Sequence, residues 1–255
     1  MKACITKIKD KYFYTFLSLF IILTIWEFSS RNLSPLVLPS VLDVFKKIID
    51  IFSNKDSISM IFITVHRLFI GYGIGLAIGL IFGVLMGQSN VLDKMISPLI
   101  GIIQTIPPVS WLVLALVWFG IGGKPAIFII SLSTIPIVGI SVKEAFDSID
   151  YNLIEMSKVY NFSNKKTFFE IILPTIMPFF RSGSISALGN SWKIAAMSEV
   201  LTTTDGIGGM IKLARINIEP DSILAWSIIL VILYFISKVL FVKLFSLGGV
   251  YSDRN

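Results

Sequence analysis

The stretch that decides the fold is residues 155–174, which read EMSKVYNFSNKKTFFEIILP. It belongs to a sizeable polar segment between two long apolar ones. Asp150 before it, and Ser163 or Asn164 within it, are residue types that cap helix N-termini, and apolar residues follow both positions at helical spacing. Asn161 between the two helices suits a left-handed helix end. The pattern predicts a helix–turn–helix loop that joins two apolar segments.

The composition indicates a membrane protein. Hydrophobic residues make up 55% of the 255 residues, and charged residues only 15%. A soluble domain of this length carries about 25% charged residues. Since so few polar residues cannot cover a water-facing surface, most of the exterior must face lipid. No linker-like or long charged stretch divides the chain, which predicts one membrane-embedded core.

The ionisable residues exclude several other classes of protein. The net charge of +6 comes from basic residues scattered along short segments, which favours contact with anionic lipid over nucleic-acid binding. A single cysteine, Cys4, excludes an intramolecular disulfide, and a single histidine, His66, excludes a Cys/His metal centre. We expect no metal site and no catalytic residues.

Six segments are long and apolar enough to cross a bilayer, at about 12–30, 60–87, 95–119, 125–143, 174–200 and 223–243. The fold class predicted is therefore all-α, a polytopic helical bundle. Between the first two spans, Ser40 precedes an amphipathic segment, 41–52, which is too short to cross and should lie on the membrane surface. The expected organisation is an N-terminal span with this surface helix, a core containing a loop, and a short tail, at 1–58, 59–245 (loop 144–173) and 246–255.

The basic residues give a modest indication of sidedness. With the N-terminus inside the cell, loop 144–173 and the C-terminus also lie inside. Twelve Lys and Arg residues then fall inside and eight outside, which is the expected direction of the bias.

The second predicted span carries one glycine every four residues, at Gly71, Gly75, Gly79, Gly83 and Gly87. At helical spacing these glycines share one face, which allows another helix to approach closely. Two interpretations stay open: a fixed packing contact, or an interface that moves.

Loop 144–173 places apolar and aromatic residues on the side of the membrane that faces water. Its first helix offers Leu153, Ile154, Met156 and Val159, and its second offers Phe168, Phe169, Ile171 and Ile172. A water-facing apolar patch in a loop of this size needs a partner to cover it. The sequence predicts a docking element that sits in a groove of a cytoplasmic protein.

The spacing of this loop resembles the "EAA" loop of ABC-importer permeases, whose pattern is Glu-Ala-Ala, three residues, Gly, nine residues and Ile-x-Leu-Pro. Here Glu155-Met156-Ser157 is followed by three residues, Asn161, nine residues and Ile171-Ile172-Leu173-Pro174. Three positions depart from the pattern, with Met156 and Ser157 in place of the alanines and Asn161 in place of the glycine. Further segments resemble the nitrate/sulfonate/taurine branch: Leu38-Pro39-Ser40, 67–87, Ile106-Pro107-Pro108, Trp118-Phe119-Gly120 and Gly206-Ile207-Gly208-Gly209.

The resemblance implies a type I ABC importer permease of six transmembrane helices that works as a dimer in the bacterial plasma membrane, with both termini in the cytoplasm. It also implies a cytoplasmic ATPase subunit and an extracytoplasmic solute-binding protein as partners. We call 144–173 the coupling loop, because in this family it fits a cleft on the ATPase. The residues that match the family pattern are Glu155, Met156, Ser157, Asn161, Ile171, Leu173 and Pro174.

Nothing in the sequence indicates that this chain uses ATP itself. It contains no Gly-x-x-x-x-Gly-Lys-Ser/Thr motif, and in the glycine-rich stretch 120–124 the next residue is Pro125 where that motif has a hydroxyl. We therefore expect no bound cofactor, with ATP used by the partner subunit.

The fifth predicted span is the best candidate to line a pathway, because small and polar residues are frequent in it. Lys193 lies deepest, with Asn190 and Ser186 on the turns before it. A charge at this depth usually faces a cavity or a partner, so Lys193 either attracts an anion or pairs with a carboxylate on another helix. Glu199 falls near the outer mouth, where it is a further candidate.

Two other classes of protein compete with the importer permease. An ion-coupled secondary transporter would need more carboxylates within the spans, together with repeated halves. A membrane-embedded enzyme would need clustered His, Asp and Glu residues, which one histidine does not provide. The resemblance suggests a small anion such as a sulfonate, taurine or nitrate as the solute, with a thiamine-precursor-like or other small heterocycle as the alternative.

Overall fold

The computed structural model describes the backbone of residues 2–247 and the side chains of residues 13–245. Within these residues the chain is helical and contains no strand, as predicted. Most of the predicted tail, 248–255, lies outside the described residues. In chain order the helices are α1 (Lys2–Arg31), α2 (Val41–Ser53), α3 (Lys55–Gln88), α4 (Asn90–Thr105), α5 (Pro108–Phe119), α6 (Gly123–Asp147), α7 (Tyr151–Val159), α8 (Asn164–Thr167), a π turn (Phe168–Ile172), α9 (Leu173–Thr202), α10 (Gly206–Ile216) and α11 (Pro220–Leu247).

Five helical stretches are long and apolar enough to cross a membrane: α1, α3, α6, α8 with the π turn and α9, and α11. They coincide with five of the six predicted spans. The sixth, predicted as one helix over 95–119, is instead the pair α4 and α5, which meet at an angle of 94°. If α4 and α5 together form a sixth crossing, that crossing is a broken span.

The break between α4 and α5 has a local cause in consecutive prolines. Ile106 precedes Pro107 and is extended, with φ −74° and ψ 126°, because a residue before proline is disfavoured in the helical region. Neither Pro107 nor Pro108 has an N–H to continue the α4 ladder, whereas Pro108 is well suited to begin a new helix. The apolar composition predicts the span but not its sharp bend.

The centre of the bundle is α6, which packs between α3 and α9. The glycines of α3 face α6 as predicted, and a Cβ atom placed on Gly75 would lie 2.5 Å from the Thr134 Cβ atom. The glycine stripe therefore lets the two backbones approach closely. Large side chains from three helices fill the surrounding core, among them Leu68, Tyr72, Ile130, Val138, Leu188 and Trp192.

The amphipathic helix α2 covers the end of the bundle opposite the coupling loop. Ser40 caps it as predicted, since its side chain accepts a hydrogen bond from the backbone N–H of Asp43. Val44 and Ile51 are buried, and they belong to a second apolar cluster that includes Trp226 of α11. By contrast, the spanning part of α1 is almost wholly uncovered by the rest of the subunit.

Candidate functional site

The coupling loop consists of two short helical limbs. α7 begins after Asp150, whose carboxylate accepts a hydrogen bond from the backbone N–H of Asn152 at 2.9 Å. α8 begins after Ser163, whose hydroxyl accepts a hydrogen bond from the backbone N–H of Lys166 at 3.3 Å. The helix–turn–helix prediction is confirmed, and Ser163 is the cap of the second limb.

Asn161 closes the first limb with a left-handed backbone, φ 51°, as predicted. Its N–H donates to the Lys158 carbonyl at 3.0 Å, and the N–H of Phe162 donates to the Ser157 carbonyl at 2.8 Å. This pair of bonds is the Schellman motif that ends many helices. The buried Ser157 hydroxyl also accepts a hydrogen bond from the Thr167 hydroxyl at 3.4 Å, which joins the two limbs.

An apolar patch covers the outer side of this loop. We call it the loop apolar patch; its exposed side chains are Tyr151, Leu153, Met156, Val159, Tyr160, Phe168 and Phe169. Of the other residues that match the family pattern, Glu155, Asn161 and Pro174 are exposed, whereas Ser157 and Ile171 are buried. The pattern therefore contains two kinds of residue. Some hold the loop together, and others are accessible to a partner.

The second limb continues into α9 without a break. Asn164–Thr202 forms one helical unit of 39 residues. Within it, the Leu173 N–H donates to the carbonyl of Phe168, five residues earlier, and Pro174 has no N–H to donate. A π turn accommodates such an interruption by widening the helix locally. The sequence predicts that Pro174 opens a separate span, but loop and span are one element.

The predicted pathway residues Ser186, Asn190 and Lys193 lie together on one wall of a cavity of about 810 Å³ between α9 and α11. We call it the lysine cavity. Its α11 wall includes Tyr234 and a second lysine, Lys238. Polar side chains from two spans, together with apolar ones such as Trp192 and Leu230, thus line an open space large enough for a small solute.

Glu199 lies away from the lysine cavity and is fully buried. Its carboxylate accepts hydrogen bonds from Arg67 at 3.2 Å, from the Thr64 hydroxyl at 2.7 Å and from the Gly208 backbone N–H at 3.0 Å. We call Thr64, Arg67, Glu199 and Asp205 the Arg67 cluster. It connects α3, α9 and α10 at the end of the bundle opposite the coupling loop.

Asp205, just before α10, is the second acidic partner of Arg67, at 2.8 Å. The Arg67 guanidinium hydrogen-bonds this carboxylate and holds the pKa of Asp205 below its ordinary value. Gly206 follows with φ 77°, and a Cβ atom there would lie 2.6 Å from the carboxylate oxygens of Glu199. This position therefore requires glycine, both for its backbone conformation and for the close approach to Glu199.

Two kinds of polar site therefore occur in the bundle. In the Arg67 cluster the charges are paired with one another, with Glu199 buried and Asp205 partly exposed, so this site links α3, α9 and α10. The lysine cavity is open, and its two lysines have no acidic partner among the described residues, so it is suited to binding a solute. Among the described residues, no three His, Cys, Asp or Glu side chains lie close enough to hold a metal ion.

Sequence reasoning missed both the Arg67 cluster and the α11 side of the cavity. With the N-terminus inside the cell, Arg67 counts among the eight basic residues expected outside and Lys238 among the twelve expected inside. The sequence does place opposite charges inside two predicted spans, Arg67 in 60–87 and Glu199 in 174–200, but it does not identify them as partners.

Residues 75–246 match the family described as the binding-protein-dependent transport system inner membrane component. This match covers more than half of the 255 residues, so the chain belongs to that family and is a permease component of an ABC importer, not an enzyme.

The chain is similar in sequence to curated permeases for three named solutes. It is 29% identical over 200 residues to a nitrate import permease protein of Synechococcus elongatus, covering 74% of this chain and 71% of the relative. It is 28% identical over 215 residues to a putative aliphatic sulfonates transport permease protein of Escherichia coli, covering 84% and 80%. It is 25% identical over 229 residues to a taurine transport system permease protein of Escherichia coli, covering 87% and 83%.

The fold is similar to that of a solved importer. The MetNI methionine ABC transporter, in an inward-facing conformation, matches with a TM-score of 0.64 and 21% identity, over 75% of this chain and 94% of the solved chain. This likeness confirms the predicted type I permease fold.

Proposed function

We propose that two copies of this chain form the membrane pathway through which an ABC importer carries a small anion, driven by a separate ATPase subunit. The observation that carries the proposal is the unbroken helix from the coupling loop to the lysine cavity. A partner that moves the loop would move one wall of the cavity with it.

The coupling loop is proposed to be the docking site of the ATPase. Its loop apolar patch is exposed on a well-capped and internally bonded turn, which is typical of a preformed docking element. Lys158, Lys165 and Lys166 lie beside the patch and offer charges for the rim of an interface. ATP would bind to the partner alone, and this chain would bind no cofactor.

The second copy is proposed to cover the polar face of α9. Ser182, Ser186 and Lys193 are exposed in a single subunit, although they lie within a membrane-spanning helix. Such a face is costly against lipid, so it is expected to face a protein partner or a water-filled space. Two subunits related by a twofold axis would enclose both cavities in one pathway.

The solute is proposed to be a small anion, supported by the sulfonate, taurine and nitrate permeases among the relatives. A solute-binding protein would deliver it to the end of the bundle that carries the Arg67 cluster. The coupling loop and both termini are proposed to lie in the cytoplasm of a bacterium.

The docking proposal is tested with the permease and its cognate ATPase produced together. We expect Glu155→Lys, which reverses a charge on the exposed side of α7, and Asn161→Pro to reduce co-purification of the ATPase about tenfold or more. Proline cannot adopt the φ of 51° at this position. ATP hydrolysis stimulated by the binding protein should fall in parallel.

The matched control is Asn161→Gly, which keeps the left-handed turn and should retain the ATPase. Equal membrane insertion of all variants is checked by immunoblot. If the ATPase still co-purifies normally with both the Glu155→Lys and Asn161→Pro variants, the loop is not its docking site.

A further inference from the structure

The charged residues that line the lysine cavity are all basic. Its lining contains Lys193 from α9 and Lys238 from α11, and no aspartate or glutamate. The nearest acidic residue along α9 is Glu199, which is already held by the Arg67 cluster. The cavity is therefore a positively charged space within the membrane-spanning part of the molecule.

Neither lysine has an acidic partner among the residues that the structure describes. Lys193 is exposed, and none of the ion pairs among the described residues includes it. Lys238 lies 5.9 Å from the ring centroid of Tyr234, a weak contact that leaves its charge available. Lysines within a membrane-spanning helix normally pair with a carboxylate or face a water-filled path, so these two are available to an anion that enters the cavity.

The two lysines lie at different depths. Lys193 is nine residues before the end of α9, about 14 Å along the helix, whereas Lys238 is eighteen residues after the beginning of α11, about 27 Å. These two helix ends lie on the same side of the bundle, joined by α10. Lys193 is therefore nearer the Arg67 cluster and Lys238 nearer the coupling loop.

Neutral groups occupy the space between the two cations. Asn190 and Ser186 line the cavity on α9, and the Tyr234 ring rests against Gly189, where a Cβ atom would lie 3.3 Å from the ring. Amide and hydroxyl groups donate hydrogen bonds to oxyanions without adding charge. They would stabilise an anion as it leaves one lysine for the other.

We propose that Lys193 and Lys238 form a two-step anion site, in which a small oxyanion such as a sulfonate binds first at Lys193 and then at Lys238 on its way through the permease. The direction of passage rests on the proposed import function, but the site itself does not. Both lysines act here as solute-binding residues.

Binding is measured on the full-length permease alone, in nanodiscs of zwitterionic phosphatidylcholine. The probe is trifluoromethanesulfonate, observed by the broadening of its ¹⁹F signal, with methyl trifluoromethyl sulfone as a neutral analogue of similar shape. We expect the anion to bind and the neutral sulfone not to bind. Lys193→Met and Lys238→Met should each weaken binding by on the order of tenfold, the usual effect of losing one charged hydrogen-bond donor.

Three further variants make the result specific. Lys193→Arg keeps the charge and should keep most of the binding, and Lys124→Met removes an exposed lysine outside the cavity and should change nothing. The double variant with Met at 193 and 238 should abolish binding. Unchanged binding in that variant would refute the site, even if ATP-driven uptake persists.

Other occupants of the cavity give different results. If the lysines serve lipid headgroups, anionic phosphatidylglycerol in the nanodisc will displace the probe at low mole fraction, which would overturn the proposal. If Lys193 instead pairs with a carboxylate of a second copy, Lys193→Met will weaken the dimer and leave probe binding unchanged. Probe binding that depends on both lysines would support the site even where the ATPase fails to dock on the coupling loop.

Discussion

Arg67 holds two carboxylates in very different surroundings. The Glu199 side chain is 0% exposed and that of Asp205 is 43% exposed, while the Arg67 side chain between them is 12% exposed. A charge that is buried and loses its partner cannot regain water, whereas an exposed one is solvated again at little cost. The two acidic residues should therefore differ in their effect on stability, although both contact the same guanidinium.

Replacement of each acidic partner tests this difference. Glu199→Ala removes the buried partner and should lower the free energy of unfolding by about 3–5 kcal/mol. Asp205→Asn should lower it by at most about 1 kcal/mol, because water screens this pair. The measurement is unfolding of the purified permease in mixed detergent micelles, titrated with a denaturing detergent.

A conservative variant serves as the control for shape. Glu199→Gln keeps the volume of the side chain and its hydrogen bond from Gly208, so its loss should be smaller than that of Glu199→Ala. Equal losses for Glu199→Ala and Asp205→Asn would contradict the assignment of the buried ion pair.

Among the contacts between helices, the contact between α3 and α6 depends directly on individual glycines. Gly75 lies against Thr134 and the carbonyl of Ser131, whereas at Gly73 a Cβ atom would meet nothing within 4 Å. The two glycines are two residues apart on the same helix, so they share the same membrane depth but not the same neighbours. They form a natural pair for testing the packing of the stripe.

We expect Gly75→Ala to destabilise the permease by about 1–3 kcal/mol, because the added methyl group forces α3 and α6 apart. Gly73→Ala should be neutral or slightly stabilising, because alanine favours helix more than glycine does. Thermal unfolding of both variants in one detergent measures the difference. A similar loss at both positions would mean that close packing is not what the stripe provides.

The elements most easily predicted from the sequence are those with local causes. Ser40, Asp150 and Ser163 cap their helices as expected, and Asn161 adopts the left-handed turn, because these signals depend on neighbouring residues alone. The π turn before Pro174 was not predicted, since a proline in this position is equally compatible with the beginning of a new helix.

In the candidate site, too, the features that depend on neighbouring residues were predictable from the sequence. Ser186, Asn190 and Lys193 follow helical spacing, so their shared wall follows from the sequence. Arg67 and Glu199 are 132 positions apart, and Lys193 and Lys238 lie on separate helices. Only the packing of the bundle brings these pairs together, and one sequence without packing information does not predict it.

At the scale of the whole molecule, α6 extends from one end of the bundle to the other. Its 25 residues span about 38 Å, so the turn at Ile121 and the coupling loop lie at opposite ends. Ile121 is 89% exposed and Tyr160 in the coupling loop is 69% exposed. Both positions are therefore accessible reporters of the proposed sidedness.

Cysteine labelling tests that orientation in a variant with Cys4→Ser. In intact cells, a membrane-impermeant maleimide should label Ile121→Cys and leave Tyr160→Cys unlabelled. After permeabilisation both should react, which serves as the control for accessibility. The reverse pattern would place the coupling loop outside the cell and remove the basis for docking a cytoplasmic ATPase.

The 39-residue helical unit Asn164–Thr202 has a mechanical consequence. It is about 58 Å long, and its far end is held by the Arg67 cluster, so the ion pair would act as the fulcrum if the coupling-loop end were displaced. Each degree of rotation about that fulcrum sweeps the coupling-loop end through about 1 Å, whereas Lys193, near the fulcrum, moves far less. A small displacement of the loop would therefore change the width of the cavity at the Lys238 level while the neighbourhood of Lys193 stays nearly stationary.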